Sequence, residues 1–165
     1  MARGAVESAV HRDPTFAAKG SVQRYTVWMI AAALTRFFET KPVPGIVAVY
    51  LFGSQAENRA HGESDVDVGV LLDRSVYADA VSRSRLRLDL TGRLMEVSGR
   101  DRVDVVVLND APPELGRHIV VRGIRLFSAD AEAVHAFERD VQLRAADIAP
   151  FLARMRRIKL EFLVQ

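Results

Sequence analysis

The chain has 165 residues, 49% hydrophobic and 27% charged, the balance of one soluble globular domain with a sizeable core. It contains no cysteine, which excludes disulfides, thiolate metal sites and thiol nucleophiles, so any metal must be held by oxygen or imidazole. A net charge of +2 and a pI of 9.3 are too mild to mark a nucleic-acid binder, and no membrane-spanning run or signal peptide stands out, so a cytoplasmic protein is expected.

Residues 1–20 are small and polar, with Pro14 and no sustained period, so a loose start is expected ahead of a single domain over residues 21–165. Ser21 suits a helix cap. Val22 to Thr40 then reads as a broadly buried helix, with Val22, Tyr25, Met29 and Ala32 on one stripe and Ile30, Leu34, Phe37 and Phe38 widening it. Trp28 and the Phe37-Phe38 pair are expected in the core. The Lys41-Pro42-Val43-Pro44-Gly45 run ends this helix, because proline cannot continue the hydrogen-bond ladder.

Ile46 to Phe52 is an unbroken apolar run rich in β-branched residues, the pattern of a strand buried on both faces. Gly53 ends it, Ser54 to Arg59 suits a helical turn, His61 to Ser64 is polar loop, and Asp65 to Leu72 reads as a second strand. Ser75 to Val97 carries both an alternating and a helical leucine pattern. Its length favours a helix, since strands usually run about 3 to 10 residues. Ser98-Gly99-Arg100-Asp101 closes it, and Arg102 to Leu108 is a third strand containing Asp104. Pro112 and Pro113 turn the chain into a short helix, Glu114 to Val121, and Gly123 introduces a last strand, Ile124 to Phe127. From Ala129 to Leu163 apolar residues recur every three to four positions, predicting a long helical segment that Pro150 should kink or divide. Strands alternating with helices indicate an α/β fold, a small mixed β-sheet flanked by helices.

The chemistry concentrates between Leu51 and Asp73. Asp65 and Asp67 stand two apart at the start of a strand, so their side chains share one face of the pleat. If the strand holding Asp104 is a neighbour, three carboxylates meet at one sheet edge, which is costly unless a cation sits among them. Oxygen donors of this kind suit magnesium, and a cluster can hold a pair of ions roughly 3.5 to 4 Å apart. Gly53 allows backbone to approach a ligand closely, and Ser54 with the free amides of the following turn suits a terminal phosphate. Either residue type alone has a plainer use, Asp-x-Asp as a solvated rim and Ser54 as a cap. His61 and His118 lack metal-ligand spacing, and the basic run Arg154, Arg156, Arg157 and Lys159 reads as a solvated helix face.

Gly53-Ser54, ten residues, Asp65-x-Asp67 and a later strand aspartate, Asp104, resemble the nucleotidyltransferase superfamily that includes DNA polymerase beta and kanamycin nucleotidyltransferase. The small size and the continuation VDVVVLNDAPPELGRHIVVRGIRLF look closest to the minimal nucleotidyltransferase (MNT) antitoxins, over about Val47 to Phe127 and with a similar long C-terminal helix. The resemblance implies a nucleotidyltransferase fold with an N-terminal helix. It implies magnesium, two ions in all, on Asp65, Asp67 and Asp104, and ATP held by Gly53 and Ser54. Asp104 would help activate an acceptor hydroxyl. It further implies AMP transfer to a tyrosine of a HEPN-domain ribonuclease toxin, in a hetero-oligomer with that partner and without direct nucleic-acid binding. Two other readings remain open, a non-catalytic antitoxin that neutralises by binding and a small-molecule nucleotidyltransferase of the aminoglycoside-modifying kind. Glu57 and Asn58 stand where that family often has Arg or Gly soon after the Gly-Ser turn.

Overall fold

The computed structural model describes residues 19–56 and 65–163. Its elements are α1 (Lys19–Thr40), β1 (Ile46–Phe52), α2 (Gly53–Ala56), β2 (Val66–Leu72), α3 (Ala80–Ser98), β3 (Val103–Val107), α4 (Pro113–Arg122), β4 (Ile124–Ser128) and α5 (Ala131–Leu163). The four strands form one mixed sheet in the order β3-β2-β1-β4. β1 runs antiparallel to both β2 and β4, whereas β2 and β3 are parallel. A parallel pair needs a crossover of a dozen residues or more, and α3 provides it.

Both faces of the sheet are covered, which is why β1, β2 and β3 carry such dense valine and leucine. On one face Val49, Leu51, Val66, Val68, Val70, Val103 and Val105 pack against Ile30, Leu34, Phe37 and Phe38 of α1 and Leu86, Leu90 and Leu94 of α3. On the other, Ala48, Tyr50, Phe52 and Leu71 meet Ile119 of α4 and Val134 of α5. The alternation fixes the side on which every polar exception lies. Asp67 and Gly69 sit between Val66, Val68 and Val70, and Asp104 between Val103 and Val105, so both aspartates project on the face covered by α4 and α5.

Several details differ from the sequence expectations. α1 already includes Lys19 and Gly20; residues 1–18, expected to be loose, lie outside the described residues. Its inward stripe is Val27, Ile30, Leu34, Phe37 and Phe38, which turns Tyr25, Trp28 and Met29 to the far side: Trp28 is 45% exposed, not core, and its ring stacks on that of Tyr25. α3 starts at Ala80 and not at Ser75. The Asp73 carboxylate accepts hydrogen bonds from the Ser75 amide and hydroxyl, a local turn that competes with helix, and Asp79 supplies the real N-cap by accepting from the Ser82 amide. Arg83, buried, then fixes the preceding segment, donating to the carbonyls of Tyr77 and Ala78 and to the Asp110 carboxylate. α5 runs unbroken through Pro150, which does not divide it. Pro150 lies on an exposed stretch of the helix, as does Ala146, whose carbonyl loses its partner at the proline.

Candidate functional site

The site lies where β1 ends and β2 and β3 begin. Backbone register aligns three residues there: Phe52 of β1 opposite Asp67 of β2, and Asp67 opposite Asp104 of β3. The amide of Val66 donates to the carbonyl of Arg102, extending the ladder just ahead of both strands and bringing Asp65 alongside. Asp67 is half-buried, while Asp65 and Asp104 are exposed. Burial, then the negative charges of Asp104 and Asp65, push the Asp67 carboxyl above the usual carboxylate range. The three acids predicted from spacing are therefore electrostatic neighbours.

Gly53 closes the site from the β1 side. Its φ is +69°, in the left-handed region where a side chain is strained, and a Cβ placed on it would collide with the Asp67 carboxylate. A glycine is thus required twice over, to turn the chain out of β1 and to leave room for Asp67. Ser54 follows in α2, half-buried, on the first turn after the strand. Glu57, Asn58 and His61 lie in the segment 57–64, outside the described residues, and His118 is exposed on α4.

One contributor is not evident from the motif. Arg102 Nη1 lies 3.9 Å from Asp65 Oδ1, with a side chain 80% exposed, and so brings positive charge to the acidic edge. The sequence signal was present: Arg102 stands two residues before Asp104 and therefore shares its face. At that distance and exposure the pair is weak, and among the described residues no cation offsets the upward push on Asp67. Among the described residues no three carboxylate or imidazole side chains form a ready-made metal cage. The donor chemistry nevertheless fits a hard divalent cation: Asp67, Asp65 and Asp104 offer only oxygen, and their mutual repulsion is what such an ion relieves.

The sequence matches the family profile described as Polymerase beta, Nucleotidyltransferase, over residues 33–132, a span holding Gly53, Ser54, Asp65, Asp67 and Asp104. No curated protein matches it. Among solved structures, a chain of a toxin-antitoxin complex with AMP-PNP aligns with a TM-score of 0.58 at 21% identity, covering 82% of this chain and 98% of that one. A chain of the MntA-HepT toxin-antitoxin aligns with a TM-score of 0.54 at 19% identity, covering 82% and 97%. A third, from the tri-AMPylated HEPN toxin of Shewanella oneidensis in complex with its MNT antitoxin, gives 0.51 at 21% identity, covering 87% and 99%. At these identities the likeness is one of fold, and it spans almost the whole of each neighbour. The profile covers more than half of the chain, and the chain belongs to the polymerase beta nucleotidyltransferase family.

Proposed function

We propose that this protein is a magnesium-dependent adenylyltransferase antitoxin that transfers AMP from ATP to a tyrosine of a HEPN-domain ribonuclease toxin. The observation that carries the reading is the approach of Gly53 to a half-buried Asp67 that faces Asp104 across the β2–β3 pair. A structural aspartate would be paired or solvated. This one is crowded by burial and by two like charges, the condition of a carboxylate built to meet a cation. The fold likeness to chains of toxin-antitoxin complexes, one of them with AMP-PNP and one with an AMPylated toxin, supports the choice of nucleotide and partner.

Asp65, Asp67 and Asp104 would hold two magnesium ions, which would neutralise the triphosphate and favour an ionised acceptor. The turn at Gly53 and Ser54 would receive the terminal phosphates through backbone amides and the Ser54 hydroxyl. In the transfer the acceptor oxygen forms a bond to the α-phosphorus of ATP while the bond from that phosphorus to the β-phosphate bridging oxygen breaks. AMP stays on the acceptor and pyrophosphate leaves. Asp104, which is exposed, would take the hydroxyl proton as general base. Residues 21–165 would act as one nucleotidyltransferase domain, in the cytoplasm, where ATP and the toxin's RNA substrates are found.

Labelled ATP, magnesium and a HEPN-domain toxin from the same genome test the proposal. Label is expected on the toxin, at a tyrosine, and is expected to disappear with the Asp65→Asn, Asp67→Asn double variant. A folded wild-type protein that transfers no label to the toxin overturns it.

A further inference from the structure

The second half of α5 carries an apolar seam that the other described residues leave open. The first half is anchored, with Val134, Val141 and Ala145 buried beneath it. The sequence carries the same three-and-four spacing onward through Ile148, Phe151, Met155 and Ile158. This is the 3.5-residue period by which two helices wind around each other, apolar at the a and d positions of a heptad. Beyond Pro150 the described residues leave it open: Phe151 is 64% exposed, Met155 48% and Ile158 36%. Ile148, where the seam leaves the body, is half-buried, and the side of the helix turned to the body continues through half-buried Leu152 to Arg156, whose guanidinium lies 3.6 Å from Glu114 of α4.

The flanking charges select the occupant. With Met155 at a and Ile158 at d, Arg154 and Glu161 fall at g and Lys159 at e. A parallel pair of these helices would set Arg154 against Lys159 of the other chain, two like charges. An antiparallel pair stacks Met155 on Ile158 of the second copy, and sets Arg154 beside Glu161 twice by symmetry. In the single chain Glu161 accepts a hydrogen bond from Arg157 at 3.1 Å, an ion pair exposed enough (82% and 63%) to be shared at little cost.

We propose that the C-terminal half of α5 pairs antiparallel with the same segment of a second copy of this chain, about a two-fold axis level with Arg156 and Arg157. The contact is isologous, so each favourable charge pair occurs twice. The proposal stands on helix geometry alone and is independent of the reaction assigned above.

Sedimentation equilibrium of the full chain tests it. The wild type is expected to be a dimer whose dissociation is concentration-dependent, and Met155→Glu is expected to be a monomer of unchanged helicity by circular dichroism. Arg154→Glu and Glu161→Arg each place like charges together twice and are expected to weaken dimerisation about fivefold or more. The combined Arg154→Glu, Glu161→Arg variant restores the pairing and is expected to recover the wild-type dissociation constant. A wild type that stays monomeric at every accessible concentration overturns the proposal, as does a double variant no better than either single one. A monomer whose seam is instead needed to hold the HEPN toxin, lost in Met155→Glu, overturns it in favour of that partner.

Discussion

Replacing Gly53 with alanine perturbs the site through one methyl group. The residue sits at φ +69°, where a side chain costs roughly 1–2 kcal/mol. The new Cβ would also lie 3.0 Å from Asp67 Cγ and closer still to its carboxylate oxygen, so Asp67 must rotate or its strand must move. Strain and displacement together amount to about 2 kcal/mol, a fall of roughly 4–8 °C in Tm for a chain of this size. The catalytic loss is larger in proportion, because a carboxylate displaced by about 1 Å from its productive position lowers the rate about 100-fold. Thermal unfolding and single-turnover transfer of label from ATP measure the two effects. An alanine variant that transfers AMP at the wild-type rate would refute the claim that Gly53 exists to admit Asp67.

Two other perturbations separate the site from the scaffold. Because Asp67 titrates above the ordinary carboxylate range, the folded protein keeps its proton longer than the unfolded chain, and stability falls as pH rises through that window. Asp67→Asn removes the penalty. In chelator it should match the wild type near pH 3 and exceed it increasingly toward neutral pH, as followed by denaturant unfolding. Magnesium should reverse the order at pH 7, since an ion at a hundred times its Kd stabilises the wild type by about 2.7 kcal/mol and the asparagine variant far less. Tyr50 is a structural counterpart. Burial and the neighbouring Glu138 hold its hydroxyl well above the usual phenol range, and it donates to Glu138 at 2.9 Å. Tyr50→Phe should lower stability by about 1 kcal/mol, some 2–4 °C in Tm, with AMP transfer unchanged.

β1 and β2 were legible because both are buried on both faces, so that β1 reads as an unbroken apolar run and β2 is interrupted only by Asp67 and Gly69. The site was legible for a related reason. A glycine at a strand end and two aspartates of period two are short-range patterns, and adjacency of β2 and β3 brings Asp104 opposite Asp67. What failed depended on information the local sequence lacks. α1 is apolar around most of its circumference, so its sequence does not say which side meets the sheet, and Trp28 turns outward. The start of α3 is decided by a contest between the Asp73 turn and the Asp79 cap, both plausible helix openings. Proline at 150 lies on an exposed stretch of α5, where the lost hydrogen bond is not sealed in the core. The approach of Arg102 to Asp65 is not legible locally because it crosses from one strand to the next.

The central claim is that the aspartates act by chemistry and not by shape. Co-expression of the toxin with the Asp65→Asn, Asp67→Asn variant tests it most directly, by growth together with co-purification. The variant is expected to bind the toxin still, to leave it unmodified and to fail to protect the cell. Full protection by that variant would contradict it and make the protein an antitoxin that neutralises by binding alone.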